Sequence, residues 1–104
     1  MPLIRSFLLM SLVSGLLSSA ELKGYISDAA CGWNNARSTP EAKECALKCV
    51  KAGWDPVFVL DGKMDVYKIA DKNKVMALVG EHVAITGAIT KDAVSIRSVR
   101  KLAK

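Results

Sequence analysis

Five short apolar segments, with helical patterns after the first and the third, constrain this chain more than any other feature. Residues 22–28 alternate, with Leu22, Gly24 and Ile26 on one face and Lys23, Tyr25 and Ser27 on the other. Residues 56–60, Pro-Val-Phe-Val-Leu, form a wholly apolar run that reads as a second strand. Asp61-Gly62 is a strong hairpin signal, after which residues 63–69 return as a third strand. Met64 and Val66 lie on one of its faces, Tyr67 and Ile69 on the other. Residues 82–90 give the clearest strand: Val83, Ile85, Gly87 and Ile89 alternate with Ala84, Thr86, Ala88 and Thr90. After a tight turn at Lys91-Asp92, residues 93–99 form the last strand, with Val94 and Ile96 toward the core.

The helical patterns carry start and stop signals. Residues 29–38 read as a loop. Thr39 then suits an N-cap, Pro40 the first helical position, Glu41 the positive end of the dipole and Gly53 a left-handed C-terminal cap. The apolar positions Ala42, Cys45, Ala46, Cys49, Val50 and Ala52 predict a buried face of mostly small residues, able to lie close against a sheet. Asp71 is placed to cap a short helix through Val79, closed by Gly80. The order β-α-β-β-α(short)-β-β is that of a five-stranded OB-like Greek-key barrel, mainly β with one inserted helix. An ordinary α+β sheet covered by the helix is the rival. Gly24 and Gly87, both mid-strand, favour the barrel, because sharp corners need close backbone approach.

Residues 1–20 stand outside this pattern. Arg5 supplies a positive start, residues 7–17 are uncharged and mostly apolar, and Ser18-Ser19-Ala20 puts small residues before a cut after Ala20. This is the layout of a signal peptide, leaving residues 21–104 as a single OB-like domain. The apolar run is shorter than the about 20 residues a spanning helix needs. No transmembrane segment is therefore expected after cleavage; an uncleaved N-terminal anchor is the alternative. The predicted location is periplasmic or secreted. Loss of the leader removes Arg5, lowers the net charge from +5 to +4 and leaves 84 residues. A domain of this size buries only about 60–65% of its unfolded surface, so a covalent staple would help it. Basic residues cluster only at the C-terminus, as Arg97, Arg100, Lys101 and Lys104. Such a tail could touch nucleic acid or anionic lipid, but is more often a solvated end.

The stretches Gly24-Tyr25-Ile26-Ser27-Asp28-Ala29-Ala30-Cys31-Gly32 and Glu44-Cys45-Ala46-Leu47-Lys48-Cys49-Val50-Lys51-Ala52-Gly53 resemble a group of small exported bacterial proteins, of acidobacterial type. So do residues 57–63, 67–71 and 80–87. The resemblance covers essentially the whole mature chain. It implies export and an OB-like fold, and it brings no established activity. Members of the group often carry a His about three residues after the first cysteine. This chain has Trp33-Asn34-Asn35 there, which weakens any metal site that would lean on that histidine.

The three cysteines are the main chemical signal. In an exported protein the default is a disulfide, and Cys31, Cys45 and Cys49 are all candidates. Cys45 and Cys49 lie four apart on one helix face with parallel Cβ directions, so a bond between them would distort the helix. A bond from Cys31 to either would pin the loop to the helix. Cys31–Cys45 would close about 15 residues and contribute roughly 3 kcal/mol. One thiol is then left over. Two further readings stand beside this one: thiol–disulfide exchange among the three, and a metal site. In the metal site, three thiolates plus Asp28 or His82 would hold zinc or copper.

Other chemistry is sparse. His82 is the only histidine, at the start of the fourth strand. There is no defensible acid/base carboxylate pair, phosphate loop or nucleophile motif. OB barrels often bind ligands on the face of strands two and three, where the aromatic candidates are Phe58 and Tyr67, with Trp33 and Trp54 flanking the cysteine segment. The expectation is a non-enzymatic binding or interaction module without a cofactor, whose partner is a small ligand or a protein. Export argues against nucleic acid. The alternative is a metal-binding or thiol-redox protein using Cys31, Cys45 and Cys49.

Overall fold

The computed structural model describes residues 20–103. The leader read over residues 1–20 lies outside the described residues, apart from the backbone of Ala20, as does Lys104. Five strands form a closed barrel: β1 (Ala20–Asp28), β2 (Pro56–Leu60), β3 (Val66–Ile69), β4 (His82–Thr90) and β5 (Ala93–Lys101), in the spatial order β1-β2-β3-β5-β4. One helix, α1 (Pro40–Lys51), is inserted between β1 and β2. The architecture is the expected OB-like barrel with an inserted helix; the open-sheet rival fails on closure.

β1 makes closure possible because it is paired along both edges. Its second half runs antiparallel to β2, with Gly24 opposite Leu60 and Asp28 opposite Pro56. Its first half runs antiparallel to β4, with Leu22 opposite Ile85. The far seam is short: β3 and β5 pair in parallel only at Lys68–Ala93 and Ile69–Val94. β4 and β5 form the long hairpin, with a register shift between Thr86 and Gly87. At Gly24 an added Cβ would fall against the Val59 carbonyl oxygen and the Phe58 ring, and at Gly87 against the Ser95 carbonyl oxygen. Both glycines therefore mark places where backbone meets backbone, as barrel corners require.

Inside lie Ile26, Phe58, Ile69, Val75, Val79, Val83, Ile85, Val94 and Ile96, all buried. Each belongs to the inward set of its strand or to the segment between β3 and β4. α1 contributes Ala46 to this core, and Ala42 is also buried. Small side chains let the helix sit close to the barrel. The expected N-cap forms: Thr39 Oγ1 accepts from the Ala42 N–H at 3.1 Å, with Pro40 opening the helix. Gly53, at φ +111°, follows the helix end, and Lys43 Nζ ties the helix to Glu81 at 2.7 Å.

Four local readings need correction. β1 starts at Ala20 rather than at residue 22, and β5 runs on to Lys101, paired with Val83, rather than ending at residue 99. β3 covers only Val66–Ile69, so the Asp61-Gly62 link is not a two-residue hairpin. Asp61 still donates its N–H to Lys23 O, extending the β1 pairing, and Gly62 takes the left-handed position (φ +76°) of a turn closed by Lys63 N–H to Leu60 O. The segment read as a short helix is two separate turns of 3-10 helix, Lys72–Lys74 and Met76–Leu78. Asp71 makes no side-chain cap there. Val75 and Val79 are instead pulled into the core, and β-branched residues give a helix little support.

Replacing Gly24 or Gly87 by Ala should destabilise the domain by about 1–3 kcal/mol each, since backbone must shift to admit a methyl group. Urea unfolding followed by tryptophan fluorescence measures this. A loss near zero for both would show that the seams have slack.

Candidate metal centre

Asp28 ends β1 and organises the loop after it. Its side chain is fully buried. Oδ2 accepts the Cys31 N–H at 2.9 Å and Oδ1 accepts from Asn35 Nδ2 at 2.8 Å. Such an aspartate turn is a local habit of short polar side chains. Next to it, the buried Ser27 hydroxyl donates to Gly32 O at 2.7 Å, and Gly32 sits at φ +54°. Residues 32–35 form one turn of 3-10 helix. These bonds fold the loop back so that Cys31 meets the helix face carrying Cys45 and Cys49. The three Sγ atoms all lie within 4.8 Å of one another.

All three cysteines are free and half-buried. The expected staple from Cys31 to the helix is therefore not formed. The helix holds Cys45 and Cys49 side by side and the loop delivers Cys31 to both, so the sulfurs make a triangle rather than one bonded pair. Removal from solvent raises the Cys31 thiol above its ordinary value, and the neighbouring Asp28 charge raises it further. Cys49 is pushed up to about 11, first by desolvation, then by the charge of Asp28 and a hydrogen bond to it. A raised thiol is a protonated, poorly nucleophilic thiol. No Lys, Arg or His forms an ion pair with Asp28 among the described residues.

His82 does not join this group. Its Nε2 lies 2.7 Å from Asp61 Oδ2, and its ring stacks on Tyr25 with centroids 4.5 Å apart. Tyr25 is three residues before Asp28 on β1, about 10 Å along a strand. Of the two fourth ligands weighed on sequence grounds, Asp28 accepts the Cys31 N–H but its carboxylate is not grouped with the three sulfurs, and His82 is held by Asp61.

The aromatic candidates divide. Phe58 is 0% exposed, a core residue with no face for a ligand. Tyr67 is half-buried against the core, with its hydroxyl toward Asp65. Trp33 and Trp54 are 47% and 51% exposed and flank the cysteines: Trp33 follows Cys31 by two residues, and the Trp54 N–H bonds Cys49 O at 3.1 Å. In the basic tail, Arg100 pairs with Glu21 at 3.0 Å and Lys101 with Glu81 at 3.7 Å, so these charges are engaged on the barrel surface. Sequence reasoning missed Ser27, Gly32 and Asn35. The polar pair Ser27-Asp28 at a strand end, followed by Gly32 and Asn35, was the available signal.

Compared with family models, curated proteins and solved structures, the chain matches none. No helix among the described residues is long and apolar enough to cross a membrane.

The thiol chemistry gives a direct expectation. With Cys49 at about 11 against an ordinary 9.0, its alkylation by iodoacetamide at pH 8 should be about 100-fold slower in the metal-free, reduced native protein than in urea. The native rate should rise about tenfold per pH unit until the thiol titrates. Peptide mapping reads this residue by residue; equal rates in both states would refute it. Stability depends on pH through the same shift. The raised thiol contributes its full stability below pH 9, where both states hold the proton. That contribution is lost between pH 9 and about 11, where the unfolded chain gives up its proton first.

Proposed function

We propose that this protein is an exported binding module of OB type whose ligand is a thiophilic metal ion held by Cys31, Cys45 and Cys49. The observation that carries the proposal is the convergence of the three sulfurs within 4.8 Å. An ion bound at about 2.3 Å from each sulfur sets the sulfurs about 3.8–4.0 Å apart. That is a small adjustment of a cluster already assembled by the fold. Ligand types of this softness suit zinc(II) or copper(I).

One further point supports metal binding over thiol–disulfide exchange: exchange needs only a pair of sulfurs, and this fold assembles three. Bound metal would deprotonate the thiols and keep them from pairing, which matters in an oxidising compartment. The OB barrel acts as a rigid mount: Cys31 is tied to the end of β1, and the other two ride on a helix packed on the core.

The test is metal content and intact mass of the protein purified from the compartment to which it is exported. The expected outcome is one equivalent of metal, and three alkylatable thiols once a chelator is added. Cys45→Ser should weaken binding by more than about 100-fold, since even indirect partners of a metal ligand are worth 10–100-fold. A protein two hydrogens lighter, with one alkylatable thiol and no metal, would overturn the proposal in favour of a structural disulfide.

A further inference from the structure

We propose that the concavity between the start of α1, the start of β4 and the end of β5 binds a small organic monocarboxylate, whose charge is met by Lys43 and Lys101. The inference stands apart from the cysteines and does not rest on a metal there.

The concavity encloses about 430 Å³, within the range of about 300–1,000 Å³ usual for small-molecule sites. Its walls are tied to the barrel. The Gly80 N–H donates to Ile26 O at 2.7 Å and the Ile26 N–H to Glu81 O at 3.2 Å, which fixes one wall on β1. The Leu102 N–H donates to His82 O at 2.8 Å and holds the chain after β5 as another. The hydroxyls of Ser38 and Tyr25 are hydrogen-bonded and the Tyr25 ring stacks on His82, so the loop before α1 is anchored as well. Gly80, at φ +87°, lets the stem of Lys43 lie against it: an added Cβ would fall 2.6 Å from Lys43 Cγ. A site already fixed in this way needs little ordering to take a ligand.

The charge in it is unbalanced. Lys43 Nζ lies 2.7 Å and Lys101 Nζ 3.7 Å from the same oxygen, Glu81 Oε2. Two ammonium groups share one carboxylate, so one positive charge is left over. Each ammonium carries three donors. Lys43 spends one on Glu81, and Lys101 stands beyond hydrogen-bond reach and spends none. A concave wall of low dielectric focuses the field of such a pair. A carboxylate can accept from both ammonium groups, and its single charge equals the surplus. Pro40, Leu102 and Ala103 also line the concavity and suit a short apolar chain better than a second charge. Glu81 lies in the same wall and repels further negative charge, which disfavours a phosphate dianion. His82 adds no competing donor at Nε2, since that atom is held by Asp61.

The experiment titrates sodium hexanoate into the nitrogen-15-labelled full chain, expressed with its own leader, near neutral pH and at low salt, and follows the backbone amide shifts. The expected result is saturable shifts confined to residues 80–82, residues 101–103 and the start of α1. Hexanol, with the same chain and no charge, should bind about tenfold more weakly, the size of one lost charge-assisted contact. Lys101→Gln removes the surplus charge and should weaken hexanoate by about the same factor, and Lys101→Glu should abolish binding. Should these variants fail to fold, the wild-type protein decides: sodium chloride should weaken hexanoate and leave hexanol unchanged. Shifts that do not saturate, shifts spread over other surfaces, equal affinity for hexanol, salt-independent hexanoate binding, or undiminished binding in Lys101→Glu would each overturn the inference. Inorganic phosphate binding as tightly as hexanoate would overturn the choice of a carboxylate. Cys45→Ser should bind hexanoate as the wild type does, so the result is read separately from that of the cysteine centre.

Discussion

Everything in this domain hangs on the double pairing of β1. Its two edges hold β2 and β4 at once, and with β3 meeting β5 at the far seam the sheet closes on itself. Gly24 lets the curl happen, because it lies where the β1 backbone and the Val59 carbonyl come closest. Curling gives the inward faces of all five strands one common core around Ile26, Phe58, Val83, Ile85 and Val94. It also fixes the place and direction in which the chain leaves β1. That exit is where the chemistry is built.

The exit is polar through its local sequence rather than through exposure. Ser27 and Asp28 are both buried, yet each turns its polar atoms to the loop after β1: Ser27 to Gly32, and Asp28 to Cys31 and Asn35. Hydrogen bonds inside a low-dielectric corner are strong when satisfied and expensive when not. The loop thus has one well-defined path. Cys31 is carried along it to a helix face whose register puts Cys45 and Cys49 side by side. The same burial that orders the loop also raises the Cys31 and Cys49 thiols, so proximity and low thiol reactivity share one cause. A cluster of protonated thiols is poorly suited to nucleophilic exchange.

Much of the fold was legible in the residues. The alternation at His82–Thr90 and the apolar run at Pro56–Leu60 gave strands with the observed limits, because a half-buried or fully buried strand writes its pattern directly into the chain. Thr39, Pro40 and Gly53 marked the helix because caps are local chemistry. Segments whose shape depends on distant partners were less legible. Residues 63–65 look like strand but fall outside β3, since Asp61 stays with β1 and Gly62 turns the chain. Residues 72–78 look like a capped helix, yet the core draws Val75 and Val79 inward and breaks the run into two turns. Phe58 read as a possible ligand platform because an aromatic on an OB strand can face either way, and only the closed barrel shows it turned inside.

By itself the sequence determined the order of elements, the capped helix with Cys45 and Cys49 on one face, and the need for close backbone contact at Gly24 and Gly87. These are properties of neighbours a few residues apart, and periodicity or capping expresses them directly. Only the tertiary structure decided that Cys31 reaches both helix cysteines, that Asp28 holds the Cys31 amide, and that His82 is held by Asp61 and Tyr25 away from the sulfurs. Those facts depend on where the end of β1 lies relative to α1 and β4. Barrel closure sets that relation through contacts between residues far apart in the chain, and no local pattern records it.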